Sequence, residues 1–456
     1  MILKLLNKVF NRKSSHYESA AQPIIISRQH HGIQRLQIAS CALKIVTQLQ
    51  QAGYNSYIVG GAARDLLFGF TPKDYDVATN ATPEQIRRIF RRSRIIGRRF
   101  RLVHVMCGSD IVEVSTFRGS SKIDDAAQTD PHGRLLHDNV FGTQEEDAAR
   151  RDFTVNALLY DPNKEEIIDY VNGYADIQAK KLRIIGDPTQ RYREDPVRML
   201  RAIRFASKLG LQIDDSTAQP ISELAPLLQN VPVSRLFDEM LKLLLSGHAF
   251  ACVTELRARG LHHGLLPMLD VILEQPLGKQ FITLALKSTD ERIQQNKPVS
   301  AGFLFATLLW HEVLSNWNTL RNRGEKTFPA LFSAISQTLA IQHKKLAIPQ
   351  RFDTIMQEIW TLQPRFEMRV GRRPFQLIAH PRFRSAYDFM LLRCESGEFD
   401  IELKTWWEDF LNADPEKREQ MLVKSPLTKT KRRRRRKKAV TQTSTSLVTA
   451  AIGINQ

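Results

Sequence analysis

Apolar residues at Ile38, Ala42, Ile45, Val46 and Leu49 recur at helical spacing with Gly53 beyond them as a stop, so an amphipathic helix is predicted there. The period then changes. From Tyr57 to about Tyr170, short apolar runs (YIVG, DYDVA, RLVHVM, IVEVSTF and ALLY) alternate with helical segments, which predicts a mixed sheet. From about Arg191 the strand signal fades. Leucine-rich segments such as ISELAPLLQNV, SRLFDEMLKLLLSG and SAGFLFATLLWHEVLSNW, broken by Pro and Gly, continue to about Asn412 and read as helices, and no internal repeat is visible. The predicted fold class is α+β. A head with a mixed β-sheet spans residues 31–185, an all-helical neck 186–275 and a helical body 276–420; residues 1–30 read as a weakly structured leader and 421–456 as a tail.

The chain has 456 residues, 42% of them apolar, enough for about three ordinary domains with cores of their own. No apolar run approaches the roughly 18 residues of a transmembrane helix. At the start, MILKLLNKVF sets Ile2, Leu5, Leu6 and Val9 on one helical face with Lys4 and Lys8 elsewhere. That reads as a frayed leader, with weak peripheral membrane or partner association as the alternative, and it is too short for a secretory signal. Cys41, Cys107, Cys252 and Cys394 are too scattered for a metal knuckle and too few for a dense disulfide framework, which points to a reducing cytoplasm.

The net charge of +18 is lopsided. No acidic residue follows Glu419, while Lys424, Lys429 and the run Lys431 to Lys438 concentrate more than half of the excess in the last 36 residues. Like charges with little apolar area cannot build a core, so this tail reads as a disordered arm for a polyanion, bound with salt-dependent and largely sequence-independent affinity.

The candidate chemistry begins at YIVGGAARDLLFGFTPKDYDVAT. A strand runs into Gly60-Gly61 and a helix follows; paired glycines let the backbone approach a ligand, and a helix start offers N–H groups to phosphate. Arg64 is placed to meet phosphate, and Asp65 to lock the turn. Asp74 and Asp76, two apart in a strand-like segment, fall on one face about 7 Å apart at the backbone, with Tyr75 and Val77 opposite. Two like charges so close call for a cation, and Mg²⁺ is commonly held by carboxylates together with substrate phosphates. Glu113, flanked by Val112 and Val114 on a second predicted strand, is the candidate third ligand of a two-metal clamp.

Two further clusters follow. In RRDFTVNALLY, Asp152 and Asn156 share a face if the segment is helical; Arg150 and Arg151 with Asp152 form either a buried ion-pair lock or a group that orients the nucleotide. In YREDPVRMLRAIRFASKLG, Asp195 and Pro196 read as the start of a helix whose inward stripe is Met199, Ala202, Ile203 and Ala206. Arg198 then lies one turn from Glu194 and Asp195, either as a surface ion pair or as part of an Asp-Arg set that accepts from a base's amino group and donates to its ring nitrogen. His104, His132 and His137 match no zinc spacing and read as surface or packing residues, with a loop role open for His137.

The combination of GG-x-x-RD, DYD, EVSTFR, RRDFTVNAL and REDPVRMLRAIRF, over residues 57 to about 210, resembles the class II nucleotidyltransferases, the family of bacterial poly(A) polymerases and CCA-adding enzymes. The resemblance implies that Asp74 and Asp76 are the metal-binding catalytic pair. It implies that Asp152 is a further active-site acid, and that Glu194, Asp195 and Arg198 form the nucleotide-template motif; Glu113 or Asp152 is the third catalytic acid. Arg64, Arg151, Asn156 and Arg201 complete the residues expected around the nucleotide. The segments 97–106, 135–153 and 371–393 and the arginine-rich arm resemble the poly(A) polymerase branch. The expected activity is template-independent transfer of AMP from ATP to RNA 3′-OH ends with release of pyrophosphate, in mRNA and sRNA processing and decay. Mg²⁺ is the expected cofactor, with Mn²⁺ able to substitute. The expected partners are RNA 3′ ends and an RNA chaperone or decay nuclease, with the protein a monomer. The alternatives are CCA addition to tRNA and a non-catalytic RNA-binding protein. Residues 116–139, rich in Asp, His and Gly, read as a mobile loop beside the site.

Overall fold

The computed structural model describes residues 22–97, 101–108, 110–119, 141–262, 276–345 and 348–423. The readings for residues 1–21, for His132 and His137 with most of the 116–139 loop, and for the arm beyond Val423 lie outside the described residues.

Eight strands build the head: β1 (Ile24–Ser27), β2 (Ser56–Val59), β3 (Asp76–Thr79), β4 (Ser93–Ile96), β5 (Leu102–Cys107), β6 (Asp110–Thr116), β7 (Leu159–Asp161) and β8 (Glu166–Asp169). They form one sheet in the order β1-β8-β7-β2-β3-β6-β5-β4. Every pairing is antiparallel except β3 with β6, which is parallel. All five predicted apolar runs contain strands. Two details differ from the sequence reading. The end of the supposed leader is ordered, since Ile24–Ser27 pairs with β8 as an edge strand. DYDVA becomes strand only from Asp76, with Asp74 in the bend before it.

Alternation along the strands gives the sheet two unlike faces. Ile58, Val77, Val103, Val105, Val112 and Val114 face the main core. There they meet α1 (Ser40–Gln51), whose buried residues Ala42, Ile45, Val46 and Leu49 are the stripe read from the sequence. The other face carries a smaller apolar patch of Tyr57, Val59, Ala78, Phe117, Ala157 and Leu159, joined by Ala148 from α3 (Gln144–Ala149). Beyond that patch the face carries Asp76, His104, Glu113 and Ser115 among the apolar Leu102, Met106 and Ile111. Cys41 of α1 and Cys107 at the end of β5 form a disulfide that their scattered spacing does not announce, whereas Cys252 and Cys394 are free and buried.

Between β2 and β3 lies α2 (Gly61–Leu67), and after the head the chain is helical. α4 (Pro188–Glu194) and α5 (Val197–Leu209) meet at Asp195-Pro196, and α5 buries Met199, Ala202, Ile203 and Ala206 as expected. α6 (Val233–Leu244) packs on α5. Farther on, the Trp360 indole donates to Ala306 O at 3.0 Å, and the Trp407 indole donates to Phe366 O at 3.0 Å inside a second, smaller core. No helix among the described residues is long and apolar enough to cross a membrane.

Candidate active site

The register of three strands sets a polar row on the open face of the sheet. Asp76 is paired with Glu113 across the parallel β3–β6 junction, and Glu113 with His104 across β5–β6. His104 Nε2 lies 3.1 Å from Glu113 Oε1, so a histidine read as surface or packing touches a candidate ligand. Tyr75 and Val77 are buried while Asp74 and Asp76 keep exposed surface, although the strand itself begins only at Asp76. Partial desolvation at the cleft wall, on a residue that keeps exposed surface, pushes the Asp76 carboxyl up to about 6; the Glu113 and Asp74 charges add to this, and the Arg151 guanidinium opposes it. Among the described residues no three acidic, histidine or cysteine side chains stand close enough to hold an ion by themselves.

Gly60 closes this row on the β2 side. Its φ of +67° with ψ of −132° is a conformation that suits glycine, and a Cβ there would lie 3.6 Å from Asp76 Oδ2 and 3.4 Å from Arg151 Nη1. The glycine pair thus keeps the wall beside Asp76 clear of side-chain atoms. Arg64, on the following turn, is buried; it donates to Asp65 and, at 2.6 Å, to Asn156 Oδ1. Asp65 is the lock expected of it.

RRDFTVN does not form the helix that would put Asp152 and Asn156 on one face. The chain bends and makes only a short 3₁₀ turn, Thr154–Asn156. The two side chains meet nonetheless, Asn156 Nδ2 donating to Asp152 Oδ1 at 3.1 Å. The same oxygen accepts from Phe153 N at 2.8 Å, and Oδ2 accepts from Arg201 Nε and Nη2 at 2.8 and 2.5 Å. Burial alone would raise the Asp152 pKa; Arg201 and the hydrogen bonds reverse that and hold it below the usual carboxylate range. Asp152 is locked, but by an arginine of α5. Arg151 and Arg150 turn instead to Asp147 of α3, at 2.8 and 3.2 Å.

Asp195 and Arg198 sit at the α4–α5 break. Arg198 donates to Glu194 Oε2 at 3.0 Å and to Arg191 O at 2.7 Å, so Glu194 holds the arginine. Asp195 Oδ2 accepts from Arg235 of α6 at 2.6 Å. Nothing in the sequence near Arg235 marks it as a partner of a residue forty positions earlier. Phe205, also missed, is a platform beneath the Arg64, Arg201 and Arg204 guanidiniums, 5.0, 5.4 and 4.4 Å from its ring centre.

These groups surround one cleft of about 440 Å³, lined by Gly60, Gly61, Arg64, Asp76, Arg151, Asp152, Asn156, Asp195, Arg198, Arg201, Phe205 and Arg235. Of the predicted site residues, Asp74, Glu113 and Glu194 stand outside this lining. Glu113 lines an adjoining cavity of about 240 Å³ that shares Asp76 and Arg151 with the first. The cleft is of ordinary small-ligand size, joining a carboxylate and glycine wall at one end to an Asp-Arg pair at the other.

Comparison with known proteins agrees with this arrangement. Residues 56–183 match the poly(A) polymerase head domain, 210–273 the probable RNA and SrmB-binding site of polymerase A, and 323–439 the polymerase A arginine-rich C-terminus. The chain is 42% identical over 435 residues to poly(A) polymerase I of Salmonella typhi, covering 92% of this chain and 93% of that protein. A CCA-adding enzyme of Bacillus pumilus is 40% identical over 204 residues, 44% of this chain and 49% of that enzyme. The fold is shared with a tRNA nucleotidyltransferase solved with a primer tRNA and an incoming ATP analog, at a TM-score of 0.54 and 20% identity over 81% of this chain and 98% of that one.

Proposed function

We infer the mechanism from one premise: this chain belongs to the bacterial poly(A) polymerase family, and its reaction is template-independent transfer of adenylate from ATP to RNA. The CCA-adding relatives match less than half of its length. The observation that carries the mechanistic reading is the single cleft joining Asp76 to Asp195 and Arg198.

ATP lies in that cleft with its base toward Asp195 and Arg198 and its phosphates toward Gly60, Gly61 and Arg64. Asp195 accepts from the adenine amino group and Arg198 donates to a ring nitrogen. Glu194 and Arg235 fix their orientations, and reading a base edge needs no nucleic-acid template. Asp76 and Glu113, paired across the β3–β6 junction, with Asp74 in the bend before β3, would hold Mg²⁺ together with the ATP phosphates, with Mn²⁺ able to substitute, and the cation would relieve the charge these carboxylates concentrate. Mg²⁺ bound there would lower the pKa of the RNA 3′-OH and neutralise the triphosphate.

Asp152 has a different role. Both of its oxygens are engaged, so it positions Arg201 and Asn156 against the nucleotide, which favours Glu113 as the third metal ligand. The work belongs in the cytoplasm, where RNA and ATP meet, in 3′ processing and decay of mRNA and sRNA. The match of residues 210–273 to an RNA and SrmB-binding region supports a protein partner in RNA metabolism.

The test is incubation of the purified protein with RNA, Mg²⁺ and each nucleoside triphosphate alone. ATP-dependent ladders of indefinite length are expected. Acceptance of CTP with addition stopping at a fixed end would overturn the adenylate reading, and no incorporation at all would leave an RNA-binding protein.

A further inference from the structure

Asp76 and Arg151 line two cavities. The larger holds the base-reading pair and the glycine wall; the smaller, about 240 Å³, opens toward β6 and is lined by Glu113, Ser115, Arg118 and Arg150. In an in-line displacement the attacking oxygen must arrive opposite the leaving pyrophosphate. With the nucleotide in the larger cleft, as proposed above, the smaller cavity that shares Asp76 with it offers the acceptor a way to the α-phosphate.

The chemistry of that cavity suits an RNA end. Ser115 lies on the same strand face as Glu113, two residues along β6, and offers a hydroxyl. Arg118 follows β6, and Arg150 caps the C-terminus of α3. Buried Asp147 ties this wall together, accepting from Arg150 at 3.2 Å, from Arg151 at 2.8 Å and from the Arg118 backbone N–H at 3.3 Å. Asp147 fixes the Arg150 side chain and the Arg118 backbone, and these arginines beside an acidic row form a bipolar surface: one side for a phosphate, the other for a hydroxyl held near cations. A nucleotide's 5′-phosphate and 3′-hydroxyl have that polarity.

We propose that Arg118 and Arg150, positioned by Asp147, seat the last phosphodiester of the RNA acceptor and so present its 3′-OH to Asp76 and Glu113. The inference rests on the nucleotide seat proposed above. The competing source of the same chemistry is the β,γ-phosphate end of ATP.

The experiment measures initial rates with a short oligoadenylate primer ending in either a normal linkage or an uncharged methylphosphonate, using wild type, Arg118→Ala and Arg150→Ala. For wild type, the methylphosphonate raises the primer KM on the order of tenfold, the size expected for one charge-assisted hydrogen bond. Each variant raises the KM of the normal primer similarly, leaves the ATP KM within about twofold, and shows little further loss with the methylphosphonate. Such non-additivity is the signature of a shared contact.

A raised ATP KM with an unchanged primer KM would assign the arginines to the triphosphate. Equal wild-type rates on both primers would overturn the proposal without any variant, which covers misfolding of the substitutions. A wild type that made no ladder on the normal primer would overturn the transfer reading and this proposal together.

Discussion

Arg201 and Asp152 are joined by two hydrogen bonds, 2.8 and 2.5 Å long, that tie the neck helix to the catalytic head. The Asp152 side chain is 11% and the Arg201 side chain 31% exposed, and removing the arginine leaves Asp152 with Asn156 and the Phe153 N–H as its partners. Arg201→Ala is expected to cost about 1.5–3 kcal/mol of stability, the range for hydrogen bonds to a charged group, measured by chemical denaturation. Asp152→Asn should lower kcat while leaving Mg²⁺ affinity within about threefold of wild type. Glu113→Gln should lower that affinity much more. Equal metal-binding losses in the two variants, followed by calorimetry, would reverse the division between Glu113 and Asp152.

Asp74→Asn and Asp76→Asn should each abolish turnover with little effect on RNA affinity by filter binding. Asp76→Asn carries a second expectation. In the metal-free folded chain Asp76 titrates at about 6, above its ordinary value. Between those values the folded chain binds more protons than the unfolded one, so stability falls as pH rises through that window. The amide escapes this loss. Without metal at pH 7.5 the variant should be more stable than wild type by up to about 1 kcal/mol, a figure reduced because the carboxylate still meets solvent. The gain should shrink toward pH 5.

Gly60→Ala tests the backbone. The substitution places a methyl in a conformation that L residues rarely adopt, beside Asp76 and Arg151. A stability loss of about 1–3 kcal/mol and a fall in kcat of at least about tenfold are expected, with the ATP ladder assay as the readout.

Deleting residues 421–456 should weaken RNA binding and flatten its salt dependence, because each phosphate contact to a single strand contributes about 0.7 to the slope of log affinity against log salt. An unchanged slope would show that the arm does not touch RNA.

The parts of the site set by local spacing are legible in the sequence. Gly60, Gly61 and Asp76 follow from a strand and its turn, whereas Asp74 lies in the bend before β3 and not on the strand that its spacing suggests, and the α5 stripe follows from a period near 3.6. Asp152 and Asn156 do meet, but through a bend and a 3₁₀ turn instead of the helix that their spacing suggests. What the sequence withholds is long-range pairing. The adjacency of Asp76 and Glu113 depends on a parallel register that no local pattern specifies. The contacts Arg201–Asp152 and Arg235–Asp195 join residues whose own neighbourhoods read as ordinary charged helix and turn. Strands β1 and β4 escape because they are the two edges of the sheet and carry no clean alternation of buried and exposed positions.

The division of the cleft between the head and the later helices α5 and α6 imposes an order on its assembly as the chain leaves the ribosome. The acidic row has all its members once β6 has emerged, Asp152 follows, and α5 and α6 supply the Asp-Arg wall only later. A nascent chain interrupted before Val197 would therefore own the carboxylates but lack Arg198, Arg201 and Arg235. Emergence of α6, not formation of the acidic row, is the moment at which the cleft becomes able to choose its nucleotide.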